Sequence, residues 1–277
     1  METPRVLEEL SKASFEAMAR RRAEAPEGAL VERIERWRHR GGCFAKALRQ
    51  GDLSVIAEYK PRSPSAGRLG EFEPEEIAER YRAASAISVL TEEESFGGSL
   101  EYLERLRGRT DLPLLCKDFI THPYQLVEAK AAGADAVLLI TGLLDEYELQ
   151  SMREHAADLG LDALVEVHDR AELDRALTSG ARIVGINNRD LAAEGHPIDT
   201  ATTGKLLDGI PDSIIVASES GLELDAKSRQ KLRKLNARGL DAVLIGTELM
   251  RADDPAPRIE HLRRFGLSRR KSRPPAR

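Results

Sequence analysis

The apolar residues of this chain fall into two patterns, one after the other. Over the first fifty residues or so they recur at three- and four-residue steps: Val6, Leu7, Leu10, Phe15 and Met18, then Leu30, Val31, Ile34 and Trp37. Such steps put side chains on one face of a helix. The spacing predicts a helix from Pro4 to Arg22, a second over 30–37 closed by Gly41-Gly42, and a short helical turn over Phe44–Leu48. From Val55 onward the pattern changes to short unbroken apolar runs. They lie at 55–59, 86–91, 113–119, 136–141, 163–168, 182–189, 214–220 and 242–247. Between them lie helix-length amphipathic stretches, among them 73–83, 100–106, 123–132, 145–159, 170–178 and 225–237. Several stop at a glycine (Gly133, Gly160, Gly180, Gly239), the residue that closes a helix in the left-handed conformation.

Unbroken apolar runs mark parallel strands buried on both faces. Eight of them, each followed by a crossover, predict an α/β fold, a (β/α)8 TIM barrel with an N-terminal helical extension. An open doubly wound sheet is the alternative, but its glycine-rich GxGxxG turn is absent. The expected organisation is residues 1–50 as an extension covering the barrel, 51–266 as the barrel, and 267–277 as a basic disordered tail.

Composition narrows this picture. Only 4% of the 277 residues are aromatic, so the core is built from Leu, Ile, Val and Ala. The net charge of −5 argues against nucleic acid as a partner. The tail holds Arg269, Arg270, Lys271, Arg273 and Arg277 with no acid, so the body is more acidic than the whole. No run approaches the roughly 18 apolar residues of a membrane span. Cys43 and Cys116 are far apart and the N-terminus lacks an apolar leader, so a reducing, cytoplasmic setting is expected. No CxxC or HExxH spacing points to a metal. A monomer acting on a small molecule is the simplest expectation.

In a barrel of this kind the chemistry gathers at the C-terminal ends of the strands. Strand one ends in Glu58 and Lys60, two residues apart and so on one side of the strand. It runs into Pro61-Arg62-Ser63-Pro64-Ser65, a loop with a cation and two hydroxyls. Strand two gives Thr91 and the loop Phe96-Gly97-Gly98-Ser99, and strand three Lys117-Asp118-Phe119. Strand four gives Thr141, strand five Glu166 and His168, and strand six Asn187-Asn188-Arg189-Asp190. Strand seven gives Glu219-Ser220-Gly221, and strand eight Gly246-Thr247 before a short helix, Thr247–Met250. Packing alone does not call for so many charges at one face, because buried charges need partners. Lysines and glutamates on neighbouring strands can hold a proton donor and an acceptor near neutral pH. The glycine turns after strands seven and eight free backbone amides for an anion, with Ser63, Arg189 and Arg62 as further donors.

At these residues the sequence closely resembles the indole-3-glycerol phosphate synthase family. The likeness is carried by Ile56–Ser65, Ala86–Thr91 with Phe96–Leu100, Lys117-Asp118-Phe119, Glu128–Ile140, Leu164–His168, Gly185–Leu191, Ser218–Gly221 and Val243–Gly246 with Leu249-Met250-Arg251. It implies decarboxylating ring closure and dehydration of 1-(2-carboxyphenylamino)-1-deoxyribulose 5-phosphate, without a cofactor. It also implies roles. Lys117 is the general acid. Lys60 grips the substrate carboxylate or donates a proton in dehydration. Glu166 stabilises the cationic intermediate or acts in dehydration. Glu58 orients Lys60, and Asn187 and Glu219 bind hydroxyls and position Glu166 or Lys117. Ser63, Arg189, Ser220, Gly221, Gly246 and Thr247 hold the phosphate, and Phe96 and Phe119 pack on the ring. Tyr59, Pro61, the glycine-free Ala83–Ala86 and the loop 192–199 depart from the family pattern. Two other readings stand beside this one: a Schiff-base aldolase using Lys60 or Lys117, and a phosphate-binding barrel without turnover.

Overall fold

The computed structural model describes residues 4–37, 41–50, 53–63, 67–70, 72–190, 197–222 and 225–264. The basic tail, Pro64-Ser65 of the first loop and residues 191–196 of the loop after strand six lie outside them.

Eight parallel strands close on themselves: β1 (Ser54–Tyr59), β2 (Ala86–Leu90), β3 (Leu114–Lys117), β4 (Ala136–Ile140), β5 (Asp162–Val167), β6 (Ile183–Asn187), β7 (Ile215–Glu219) and β8 (Ala242–Ile245). Each strand pairs with the next in sequence, and β8 pairs with β1 through Ser54 beside Ala242. The chain is therefore a (β/α)8 barrel. Because side chains alternate along a strand, each apolar run is divided between two cores. Ile56, Ala86, Leu115, Leu138, Leu164, Ile183, Ala217 and Leu244 fill the interior. Val55, Ala57, Ile87, Val89, Val137, Val165, Val184, Val216 and Val243 pack outward. Tyr59 points outward too, its hydroxyl donating to Phe72 O at 2.7 Å, so this departure from the family pattern lies off the interior.

The outer layer is α4 (Pro74–Arg80), α5 (Leu100–Arg107), α6 (Pro123–Ala131), α7 (Glu146–Asp158), α8 (Arg170–Thr178), α9 (Thr202–Leu206), α10 (Ala226–Ala237), α11 (Thr247–Met250) and α12 (Ala256–Arg264). Asp145, Asp169 and Asp225 accept from the first-turn amides of α7, α8 and α10, satisfying donors that helix starts leave free. α9 and α12 were not foreseen. α9 is five residues long, too short to show a period, and α12 shows only Ile259 and Leu262 as large apolar residues in a charged stretch.

The N-terminal segment holds α1 (Arg5–Glu24), α2 (Val31–Glu35) and α3 (Cys43–Leu48). The helix expected over 30–37 is a 3-10 turn, Glu27–Leu30, running into the short α2. α3 stoppers the N-terminal end of the barrel. Its Phe44 and Leu48 join the interior core, and Ser54 Oγ donates to the carbonyls of Ala47 and Leu48. α1 lies at the opposite end. Leu7 packs with Ile140 and Phe119, and Ser14 Oγ donates to Asp118 Oδ1 at 2.6 Å.

Candidate active site

The interior residues change character near the strand ends. Above the apolar floor of Leu138, Leu164 and Leu244, the next inward positions on β1, β5, β6 and β7 are Glu58, Glu166, Asn187 and Glu219, all buried. Lys117, from β3, reaches into this ring. Its Nζ donates to Glu219 Oε2 at 2.7 Å and lies 3.7 Å from Glu166 Oε2 and 3.9 Å from Glu58 Oε2. Lys60 Nζ sits 2.7 Å from the other oxygen of Glu58. Glu58 is thus shared between the two lysines. Asn187 donates from Nδ2 to Glu166 Oε1 at 3.1 Å and accepts at Oδ1 from the Arg189 amide at 3.0 Å. The six acid–base residues picked from the sequence converge on one cluster.

Space for that cluster comes from glycine. A Cβ on Gly185 would stand 2.0 Å from Glu219 Oε1, and one on Gly246 would stand 2.5 Å from Glu58 Oε1. Both glycines are seats for a carboxylate, a role the sequence reading gave to neither. Gly246 has φ −116°, so backbone freedom is not what it contributes.

The charges fix one another. Burial works against the charge on Lys117, but Glu219, Glu166 and Glu58 outweigh it and hold the ammonium well above its ordinary value. At an effective dielectric near 20, each contact of this length contributes on the order of 4 kcal/mol, enough to offset desolvation when three act on one cation. For Glu58, burial works upward, and Lys60 and Lys117 overcome it and hold the carboxyl below the usual range. For Glu219, burial prevails over Lys117 and, with Glu166 adding to it, pushes the carboxyl up to about 7. Glu219 Oε1 is buried without a hydrogen-bond partner among the described residues.

Phe96 and Phe119 come together over β2 and β3, ring centroids 6.2 Å apart. The loop carrying Phe96 is shaped by Glu92, a buried carboxylate that accepts from the amides of Glu94, Ser95 and Phe96. Sequence reasoning missed Glu92, although an acid next to a glycine-rich loop was the available signal. Arg62, in the first loop, ties the two loops together: its Nε donates to Ser95 O at 3.1 Å. Thr91 and Thr141 are structural at their strand ends. Thr91 donates to Asp118 Oδ2 at 2.6 Å, and Thr141 to the Glu166 carbonyl at 2.7 Å.

The six residues assigned to an anion follow β1, β8, β7 and β6, four successive neighbours around the barrel. Ser220 and Gly221 have φ 62° and 70°, two left-handed residues in a row. Asn188 Nδ2 holds that turn by donating to the carbonyls of Glu219 and Ser220 at 2.8 and 3.1 Å. Thr247 opens α11, Ser63 is buried, and Arg189 follows β6. Among the described residues no group of three or more His, Cys, Asp or Glu is arranged to hold a metal ion, and no helix is long and apolar enough to cross a membrane.

A barrel mouth built from two lysines, three glutamates and an asparagine, with glycine turns on one side and aromatic rings on the other, defines an acid–base enzyme of small phosphorylated molecules. The family model for indole-3-glycerol phosphate synthase matches residues 7–262. The chain belongs to that family. It is a carboxy-lyase of tryptophan biosynthesis, closing the indole ring of 1-(2-carboxyphenylamino)-1-deoxyribulose 5-phosphate with loss of CO2 and water. It is 47% identical over 217 residues to the indole-3-glycerol phosphate synthase of Carboxydothermus hydrogenoformans, covering 77% of this chain and 80% of that one. It is 38% identical over 261 residues to that of Alkaliphilus metalliredigens, covering 93% and 98%. Among solved structures, 3-hexulose-6-phosphate synthase from Salmonella typhimurium aligns with TM-score 0.60 at 16% identity over 78% of this chain and 99% of that one, a likeness of fold alone.

Proposed function

We propose that Lys117 is the general acid of ring closure and that the substrate lies across the mouth from the aromatic side to the glycine turns. The observation that carries this is the Lys117 ammonium held among Glu219, Glu166 and Glu58. A general acid must be protonated before it acts, and these three carboxylates keep it so. Its proton goes to the carbonyl oxygen as the aryl carbon attacks and alkoxide charge develops there. The same protonation disfavours an amine nucleophile, which must be neutral to form a Schiff base.

Lys60, paired with Glu58, grips the carboxylate that leaves as CO2. Glu166, held by Asn187, serves the dehydration step. Glu219, pushed up to about 7, trades protons with Lys117 and meets a substrate hydroxyl. The anthranilate ring packs on Phe96 and Phe119. The phosphate is held by the amides of Ser220, Gly221, Gly246 and Thr247 with Ser63 and Arg189. This reading needs no metal or cofactor. We take residues 1–50 as the extension, 51–266 as the barrel and 267–277 as a basic tail, and the working form as a cytoplasmic monomer.

The test is turnover of the carboxyphenylamino-deoxyribulose phosphate followed by indole fluorescence. Lys117→Ala is expected to reduce kcat by at least about 10²-fold with substrate binding largely retained, the scale of a lost general acid. Wild-type-like turnover in that variant refutes the assignment.

A further inference from the structure

One titratable group beside this cluster has no part in the mechanism above. His168 follows β5, two residues beyond Glu166 and so on the same side of the strand. Its ring stands between two carboxylates. Nδ1 is 3.0 Å from Glu172 Oε2, in the first turn of α8, and that same oxygen accepts from the His168 amide at 2.7 Å. Nε2 is 3.4 Å from Glu166 Oε1, the oxygen that Asn187 also holds. Nε2 is buried and makes no hydrogen bond among the described residues. The turn of α8 that carries Glu172 is capped, the Glu172 amide donating to Asp169 Oδ1 at 2.8 Å.

We propose that His168 is a positioning residue for Glu166: clamped by Glu172 at Nδ1, it presents an Nε2–H to Glu166 Oε1 and fixes that carboxylate against Asn187. The proposal rests on the assignment of Glu166 to the reaction. A carboxylate accepts only, so Nδ1 must donate to Glu172. A neutral ring would then aim a lone pair from Nε2 at a second carboxylate in a buried setting, which is repulsive. The ring therefore carries both protons. The charged groups around it agree. Burial works against the cation, but Glu172 of α8, Glu166 of β5 and Glu219 of β7 outweigh it and raise the imidazole to about 9. Lys117 lies on the far side of Glu166, on its Oε2. Glu166 thus has Oε1 bonded by Asn187 and faced by the His168 cation at 3.4 Å, with Oε2 turned toward Lys117. A carboxylate already neutralised on one side suits proton transfer in dehydration better than stabilising a cationic intermediate by charge alone.

The expected result for His168→Asn is a fall in kcat on the order of tenfold with KM little changed, and loss of the alkaline limb near pH 9 from the kcat profile. Glu172→Gln, which leaves the ring in place, should move that limb to lower pH by removing the partner that favours the cation. Nitrogen NMR of the histidine-labelled wild type at pH 8 should find both ring nitrogens of His168 protonated, whether or not either variant folds. A neutral ring at pH 8, or a His168→Asn enzyme with unchanged kcat and an unchanged alkaline limb, overturns the proposal. Glu166→Gln separates the two levels. If it keeps full activity, the assignment of Glu166 fails; if it is inactive while His168→Asn is silent, only the role of His168 fails.

Discussion

At the scale of the residue, the site depends on what is missing as much as on what is present. Gly185 leaves room for Glu219, and a methyl group there would sit 2.0 Å from Oε1. Overfilling a packed interior costs about 1–3 kcal/mol, and the cheaper way out is for the carboxylate to swing off Lys117. Misplacing a reacting group by about 1 Å can cost on the order of 10²-fold in rate. Gly185→Ala is therefore expected to lower kcat by about that factor while the protein stays folded. Adding Glu219→Asp, one methylene shorter, should recover part of the loss, so that the two changes are non-additive in kcat measured by indole fluorescence. Additive losses would show that the two side chains do not compete for this space. The charged residues themselves were legible in the sequence, because a Lys or Glu at the end of an apolar run stands out. The seats were not, because Gly185 and Glu219 are on different strands and only the closed sheet brings them together. The His168–Glu172 contact had a visible four-residue spacing, but nothing in the sequence said that the ring faced Glu166.

At the scale of the element, α1 is fixed to the barrel mouth by polar contacts next to Lys117. Asp118, which follows Lys117, accepts from Ser14 of α1, from Thr91 and from the Phe119 amide. Arg21 of α1 adds ion pairs to Glu128 and Glu93. A hydrogen bond to a charged group contributes about 1.5–3 kcal/mol. Ser14→Ala should loosen α1 by about that amount, seen as faster amide hydrogen exchange along α1 with little change in the barrel strands. Unchanged exchange in α1 would mean that Leu7 and its apolar neighbours hold the helix alone. The long helices and all eight strands could be read from periodicity to within a few residues. The hairpin of Arg62–Ser63 against Gly67–Arg68 and the five-residue α9 could not, because elements so short carry no period. That α1 and α3 take opposite ends of the barrel was equally hidden, since an amphipathic pattern says which face is buried but not against what.

At the scale of the whole molecule, the site makes stability depend on pH. Glu58 is held below its ordinary 4.5, so its contribution is present above that value and is lost as pH falls through its folded value. Glu219 is raised from 4.5 to about 7, so its contribution is full below 4.5 and is lost as pH rises through 7. His168 is raised from 6.5 to about 9 and behaves alike over a higher window, losing on the order of 3 kcal/mol between those values. The site therefore favours folding most near pH 4.5 and less with each step toward 9. Urea midpoints across this range should show the decline, and His168→Asn should flatten it between pH 6.5 and 9. An unchanged slope in that variant would contradict the charge assigned to His168. The same closure that gathers these groups has a bearing on how the chain is made. β1 cannot pair with β8 until residue 242 has been synthesised, and Ser14, Arg21 and Ala45 find their partners 104, 107 and 117 residues further along. The N-terminal helices thus wait for residues 118–162, and the seam of the barrel waits for residue 242. A chain released before β8 would leave its opening strand with one edge unpaired, exposed to other chains at the moment when folding assistance matters most.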